Sequence, residues 1–306
     1  MTVLELGSKV LDVRGALREA MQRLRQASVP SHTLAAELLL MHVLGRDRAW
    51  LYAHPEEVLD GAVVARYLEL VARRAEGVPT QYLTGKQEFW GLEFEVTPAV
   101  LIPRPETEHV VEVVLERLGP TRSREPLRIA DLGTGSGCLA VALARELPSA
   151  HVIATDTCAA ALRVAQRNAA RHGVSKRVHF VRCSLLEAFA SVQNDAPVQL
   201  RRAPLDLVVS NPPYVGREES DSLQREVRDH EPAKALFAGW RGHELYASLI
   251  DQAKRLLPPS GLLVLELGYN SLEAVSALVG PATGWTQVRV SPDLAGIPRV
   301  LAAGRA

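Results

Sequence analysis

From about Val10 to Arg74 the apolar residues recur every three or four positions. Val10, Val13, Leu17, Met21 and Leu24 form one stripe, which predicts a helix over 10–26. Thr33 to Val43 is apolar except for Glu37 and His42. Val58 to Ala75 continues the helical period, with Arg73 and Arg74 near its end. These segments predict a small helical bundle over residues 1–76. From Gly77 to Pro105 the texture changes. Gly85, Gly91, Pro98 and Pro103 punctuate Glu88-Phe89-Trp90 and Leu92-Glu93-Phe94-Glu95-Val96. The second of these alternates apolar and charged residues, as a half-exposed strand does. A β-hairpin linker is expected over 77–105.

Beyond Glu106 the period switches again. Apolar runs at 127–131, 152–156, 178–182, 205–210 and 261–267, then shorter ones near 286–290 and 299–303, read as strands separated by helical stretches. Strand-helix alternation predicts an α/β domain over 106–306, with a mostly parallel sheet covered on both faces. A ligand of such a sheet lies beyond the carboxyl ends of its strands. Gly119 to Pro126 reads as a polar connector and Ser191 to Pro204 as an exposed loop.

Two motifs stand at such strand ends. After the first strand comes Asp131-Leu132-Gly133-Thr134-Gly135-Ser136-Gly137, followed by the helix former run Cys138 to Ala144. Glycines at alternate positions permit a tight turn and close approach of a ligand to the backbone. A dinucleotide fingerprint would place glycine or alanine where Cys138 stands. The next strand ends in Asp156, twenty-five residues after Asp131. A carboxylate there can accept hydrogen bonds from a ribose diol. After the fourth strand comes Asn211-Pro212-Pro213-Tyr214. Two prolines remove two N–H donors and leave their carbonyls free, and Asn211 adds a side-chain oxygen. Such acceptors suit the capture of an –NH2 group.

The bulk numbers narrow the field. The chain has 306 residues, 47% hydrophobic and 23% charged, which suits a soluble globular protein of one or two domains. Lys plus Arg and Asp plus Glu are 35 each, so the formal net charge is zero. That argues against tight sequence-independent nucleic-acid binding, which leans on phosphate neutralisation. Arg163, Arg167, Arg171, Lys176, Arg177 and Arg182 read as a solvated helix face. Cys138, Cys158 and Cys183 form no C-x-x-C pair, and His151, His179 and His230 form no ligand set, so free thiols and no metal are expected. No signal peptide and no membrane span of ~18 apolar residues is apparent. A cytoplasmic location is expected.

With these motifs in place the chain resembles the HemK/PrmC family of methyltransferases. Asn-Pro-Pro-Tyr is shared by enzymes that methylate exocyclic amines of DNA or RNA bases and by those that methylate glutamine amides. Gln81-Tyr82-Leu83-Thr84-Gly85 with Glu88-Phe89-Trp90, Leu101-Ile102-Pro103-Arg104-Pro105-Glu106-Thr107-Glu108, Glu231-Pro232 with Ala235-Leu236, and Asp293 with Gly296 and Arg299 are similar to the glutamine group. The likeness spans essentially the whole chain. It implies a Rossmann-like class I sheet dependent on S-adenosylmethionine. The helical bundle either caps the fold or docks a macromolecular substrate, and docking is expected because a small-molecule enzyme needs no separate bundle. That substrate would be a peptide chain release factor, methylated on the glutamine of its Gly-Gly-Gln motif. An exocyclic-amine methyltransferase acting on DNA or RNA bases is the alternative.

The resemblance places the catalytic role on Asn211, Pro212 and Tyr214, and substrate binding on these with Pro213. Cofactor contacts fall to Asp131, Gly133, Thr134, Gly135, Gly137, Asp156, Ser184 and Asn211. Asp131 either meets the amino group of the methionine moiety or organises the glycine loop. Ser184 stands where the family usually has aspartate. Arg104 and Glu106 either brace the active-site lid or form an interdomain salt bridge, and Glu266 reads as a structural carboxylate. A monomer is expected, without a stable nucleic-acid complex or membrane attachment.

Overall fold

The computed structural model describes residues 11–122, 124–190 and 205–306, so the loop expected over 191–204 lies outside the described residues. The chain divides into two compact units. One holds the residues up to Lys86 together with Gln224–His230, and the other holds Gln87–Leu223 and Glu231–Ala306.

In the first unit a two-residue strand, Leu11–Asp12 (β1), leads into Val13–Gln26 (α1). The Asp12 carboxylate accepts the Gly15 N–H at 2.7 Å, satisfying one of the free donors of the helix start. Val13, Ala16, Ala20 and Leu24 make the fully buried stripe, with Leu17 and Met21 on its flank. His32–Leu44 (α2) stops at Gly45, whose φ of 63° is left-handed. Arg48–Ala53 (α3) follows; the sequence pattern gave no sign of so short a helix. The expected helix from Val58 in fact starts later, as Gly61–Ala75 (α4). Asp60 caps it by accepting the Ala62 N–H at 2.8 Å, which frees Val58–Leu59 (β2) to pair antiparallel with β1. Within 77–105, Thr80–Thr84 winds into a short helix (α5) before the hairpin.

The hairpin, Lys86–Phe89 (β3) with Leu92–Glu95 (β4), lies in the second unit from Gln87 onward. Helix Pro105–Arg122 (α6) is broken at Gly119. Then come Arg128–Leu132 (β5), Cys138–Glu146 (α7), His151–Asp156 (β6), Ala159–Arg171 (α8), Val178–Arg182 (β7), Glu187–Ala190 (α9) and Leu207–Ser210 (β8). Arg225–His230 (α10) belongs to the first unit, where its Glu226 pairs with the buried Arg74 of α4. Ala233–Leu236 (α11), Glu244–Leu256 (α12), Leu262–Glu266 (β9), Leu272–Ser276 (α13), Trp285–Pro292 (β10) and Pro298–Arg305 (β11) complete the chain.

Seven strands form one sheet in the order β10-β11-β9-β8-β5-β6-β7. Of these, β11 alone runs against the rest. Successive residues of a strand point to opposite faces, and here both faces are buried. Ile129, Val152, Val209 and Val264 pack beneath α6 and α7, while Ala130, Ile153, Val208 and Leu263 pack beneath α12. The chain leaves β5 toward β6 on one side and returns through β8 on the other. That reversal opens a crevice at their carboxyl ends.

The arginines of α8 are less free than a solvated face would have them. Arg167 and Arg171 pair with Glu95 and Glu93 of β4, at 2.7 and 2.9 Å. Beneath them, buried Asn168 donates to the carbonyls of Ser136 (2.8 Å) and Glu95 (3.0 Å) and accepts the Glu95 N–H (2.8 Å). One side chain thus joins the glycine turn to the hairpin. Asn168→Ala strands three backbone groups, the Ser136 carbonyl buried and the two of Glu95 partly so, each loss worth up to about 1–3 kcal/mol. The expected net destabilisation is about 2–4 kcal/mol, seen as a lower urea midpoint; an unchanged midpoint would show that water replaces the amide.

Candidate active site

The turn after β5 sets three glycines in the left-handed region, with φ of 72° at Gly133, 55° at Gly135 and 83° at Gly137. Their reasons differ. A Cβ on Gly137 would lie 3.0 Å from that of Ala165 on α8, so this glycine allows close helix packing. A Cβ on Gly133 would meet nothing within 4 Å, and one on Gly135 only the Gly133 carbonyl at 3.9 Å. Both face a cavity of about 460 Å³, a volume typical of a small-molecule site.

Asp131 lines this cavity and is buried; its Oδ2 accepts the Thr134 hydroxyl at 2.6 Å. Its Oδ1 has no hydrogen-bond partner among the described residues. Burial raises its carboxyl to about 7, against the pull of the Thr134 hydroxyl. Asp156 also lines the cavity. Its Oδ2 accepts the Gly135 N–H at 3.0 Å and its Oδ1 the Cys158 N–H at 2.8 Å, so it braces the glycine turn. Each oxygen keeps a second lone pair for a ligand hydroxyl. Ser184, Thr134 and all three cysteines lie on the wall as well, whereas Gly137 stands behind it. Burial holds the Cys138 and Cys183 thiols above their usual range, so they stay protonated.

The opposite wall carries Asn211 and Pro213, with Thr107 and the extended segment Pro98–Leu101. Pro212 and Tyr214, both expected in the site, do not line the cavity. Pro212 is buried, and no hydrogen bond among the described residues ends on its carbonyl. The Tyr214 ring packs on the core side, against Gly268, and its hydroxyl donates to Glu266 Oε1 at 3.1 Å.

Glu266, at the end of β9, is the centre of a buried network. Its Oε2 accepts the Thr107 hydroxyl at 2.6 Å, and Thr107 Oγ1 accepts the Asn211 Nδ2–H at 2.9 Å. Thr107 has one hydroxyl proton, and Glu266 takes it. The bond to Asn211 must then run from its nitrogen, which leaves Oδ1 as the free end of the amide. Burial raises the Glu266 carboxyl to about 7, opposed by the Thr107 and Tyr214 hydroxyls. Thr107 and Asn168 escaped the sequence reading of the site. Thr107 lies inside a quoted motif, but nothing in its spacing points to Asn211.

The other motif residues pair with each other. Arg104 bonds the carboxylate of Glu231, which also accepts the Ile102 N–H at 3.2 Å; both residues lie in the second unit. Asp293 accepts from Arg299 at 3.0 Å. Neither pair crosses between units.

A mostly parallel seven-stranded sheet, with a glycine turn after its first strand, an acid after its second and Asn-Pro-Pro-Tyr after its fourth, defines a Rossmann-like class I methyltransferase. A crystal structure of a methyltransferase from Pyrococcus furiosus shares that fold, with a TM-score of 0.50 at 18% identity, over 71% of this chain and 90% of that one. The hMettl16 catalytic domain, solved in complex with an RNA hairpin, is similar at a TM-score of 0.53 and 18% identity, over 78% of this chain and 80% of that one. Residues 15–85 match the PrmC N-terminal domain and residues 108–230 the methyltransferase small domain. The release factor glutamine methyltransferase of Koribacter versatilis is 44% identical, over 95% of this chain and 98% of that protein. That of Moorella thermoacetica is 44% identical, over 96% and 99%. The chain belongs to the release factor glutamine methyltransferase family.

Glu266 carries a pH prediction. Its folded pKa lies above the usual carboxylate value, so the stability it contributes is present below about pH 4.5 and is lost as pH rises through about 7. Glu266→Gln removes that titration. Relative to wild type the variant should gain about 1–3 kcal/mol between pH 5 and pH 8, measured as the shift in urea midpoints. A difference that stays constant with pH would mean that Glu266 is ionised throughout.

Proposed function

We propose that this chain transfers the methyl group of S-adenosylmethionine to the side-chain amide nitrogen of the glutamine in the Gly-Gly-Gln motif of peptide chain release factors. The observation that carries this reading is Asn211, tethered by its nitrogen to Thr107 with its oxygen left as an acceptor on the cavity wall. The family supplies the substrate; the site supplies a way to hold an amide.

The cavity fits the cofactor. Open space above Gly133 and Gly135 lets a ligand lie against the backbone. Asp131 offers an unpartnered carboxylate oxygen to an ammonium group, and Asp156 offers spare lone pairs to a ribose. Ser184 stands where the adenine side is expected. When bound, S-adenosylmethionine supplies an electrophilic methyl group on a positively charged sulfur.

A glutamine amide nitrogen is a poor nucleophile, because its lone pair is delocalised into the carbonyl. The chain's task is therefore to hold that nitrogen in line and to meet the positive charge it develops. In this reading Asn211 Oδ1 and the Pro212 carbonyl each accept one amide N–H. Two fixed acceptors set the rotation of the –NH2 plane and stabilise the growing charge. Pro213 shields the pocket from water, and Tyr214 supports it from behind through Glu266. No side chain forms a covalent bond to the substrate. We also propose that the helical unit docks the body of the release factor, in the cytoplasm where termination occurs.

Asn211→Ala removes one acceptor and frees the substrate amide to turn off the line of attack. Turnover of a release factor should fall on the order of 10²–10³-fold, with cofactor affinity by calorimetry nearly unchanged. Near-wild-type turnover, read by mass spectrometry of the glutamine peptide, would reduce Asn-Pro-Pro-Tyr to a structural turn. For docking, amide hydrogen exchange in α1 to α4 should slow when a release factor is added; unaltered exchange there would refute the role.

A further inference from the structure

Asn211 is a weak tool on its own. An asparagine amide has an acceptor at one end and two donors at the other, and the two ends are nearly isosteric. With Oδ1 toward the substrate it captures an N–H. With Nδ2 there, it would set donor against donor and repel the glutamine amide. Something must choose between these states.

We propose that Glu266, acting through the Thr107 hydroxyl, is a positioning residue that fixes the orientation of the Asn211 amide with its oxygen toward the substrate. This rests on the reading that Asn211 holds the glutamine amide. The geometry is a three-member relay. Glu266 Oε2 lies 2.6 Å from Thr107 Oγ1, which lies 2.9 Å from Asn211 Nδ2. Glu266 and Thr107 are both buried, so water does not compete for the bond between them, whereas the bond to Asn211 lies at the edge of the cavity. The second carboxylate oxygen takes the Tyr214 hydroxyl, and the Glu266 carbonyl takes that of Tyr246 at 2.8 Å. Two hydroxyl donors converge on the carboxylate, which leaves an ionised Glu266 acting purely as acceptor. The Thr107 proton points away from Asn211, and only the nitrogen end of that amide is welcome.

Protonation can reverse the chain. A neutral Glu266 carries a proton that can be donated to Thr107. The Thr107 hydroxyl is then free to donate toward Asn211, which accepts only with Oδ1, and the amide turns over. The groups facing this carboxyl come from several elements. They are Glu106 and Thr107 of α6, Cys138 of α7, Tyr214 after β8, Tyr246 of α12 and Arg299 of β11. Arg299 favours the charged form and Glu106 the neutral one, while burial pushes the carboxyl up to about 7. The relay therefore changes state within the physiological range.

The test compares Thr107→Val, Thr107→Ser, Glu266→Gln and Asn211→Ala for methyl transfer from labelled S-adenosylmethionine to a purified release factor. Thr107→Val keeps the shape and deletes the hydroxyl. It should lower kcat roughly 10- to 100-fold, with cofactor affinity nearly unchanged and the thermal midpoint lowered by the lost bonds to Glu266 and Asn211, and Thr107→Ser should recover most of both losses. Wild-type kcat should climb between pH 6 and 8.5, and Glu266→Gln should flatten that limb. If Thr107→Val turns over like wild type while Asn211→Ala does not, the relay is overturned and the role of Asn211 stands. Equal losses in Thr107→Val and Thr107→Ser would assign Thr107 to packing and overturn the relay too. So would a rising limb that persists in Glu266→Gln. Should that variant fail to fold, the two Thr107 variants decide the matter alone. Near-wild-type turnover in Asn211→Ala would remove the underlying reading as well.

Discussion

A carboxylate buried without a cationic partner in contact is expensive, and Glu266 is such a group. It sits at the end of β9, fully enclosed, with hydroxyls for company. Desolvation favours its neutral form, while the Thr107 and Tyr214 hydroxyls favour its charged form. The opposing effects leave it near the middle of the physiological range. The arrangement gathers three distant parts of the chain at one point: the start of α6, the segment after β8 and the end of β9. Its two oxygens tie the first two of these to the third through the Thr107 and Tyr214 hydroxyls. Carboxylates shifted by burial in this way cluster where function requires a polar group in a dry place.

The sheet was readable from the sequence because its strands are short runs of Val, Ile, Leu and Ala buried on both faces. Leu207-Val208-Val209 and Leu262-Leu263-Val264-Leu265 leave little alternative. Element starts were less legible. Asp60 delays the start of α4 to Gly61, three residues after the apolar period begins, because a local side-chain cap outweighs periodicity. Short helices such as α3 and α5 carry too few turns to show a period. The antiparallel β11 could not be read either, since strand direction depends on which neighbour pairs with it.

Within the site the division is similar. Gly133, Gly135, Asp156 and Asn211 announced themselves through local patterns, because each answers a local backbone demand. Thr107 and Glu266 stand 159 residues apart and touch only in the folded chain. A lone threonine in a helix's first turn and a lone glutamate in a strand look like a cap and a structural acid. Asp156 shows the converse. Its position suggested a ligand contact, yet both its oxygens already serve the backbone of Gly135 and Cys158. One carboxylate can thus shape the turn and still present lone pairs outward.

The chemistry of the pocket leaves one matter to another part of the protein. In the proposed reading, two fixed acceptors recognise a planar –NH2 group and nothing more. A glutamine amide and the exocyclic amine of a base satisfy them alike, which is why Asn-Pro-Pro-Tyr serves both kinds of enzyme. Discrimination must then arise from what surrounds the amide, because specificity is a difference of affinities and not a property of the shared contact. Here the chain carries a helical unit with its own core, built from α1, α2 and α4 around Leu39, Leu40 and Tyr67. The zero net charge of the whole chain gives a nucleic-acid backbone little to hold. A poor nucleophile needs long residence in one geometry, and a small pocket grips a single side chain weakly. Binding energy from a large protein substrate, docked away from the reacting atoms, can hold the amide in line long enough for transfer.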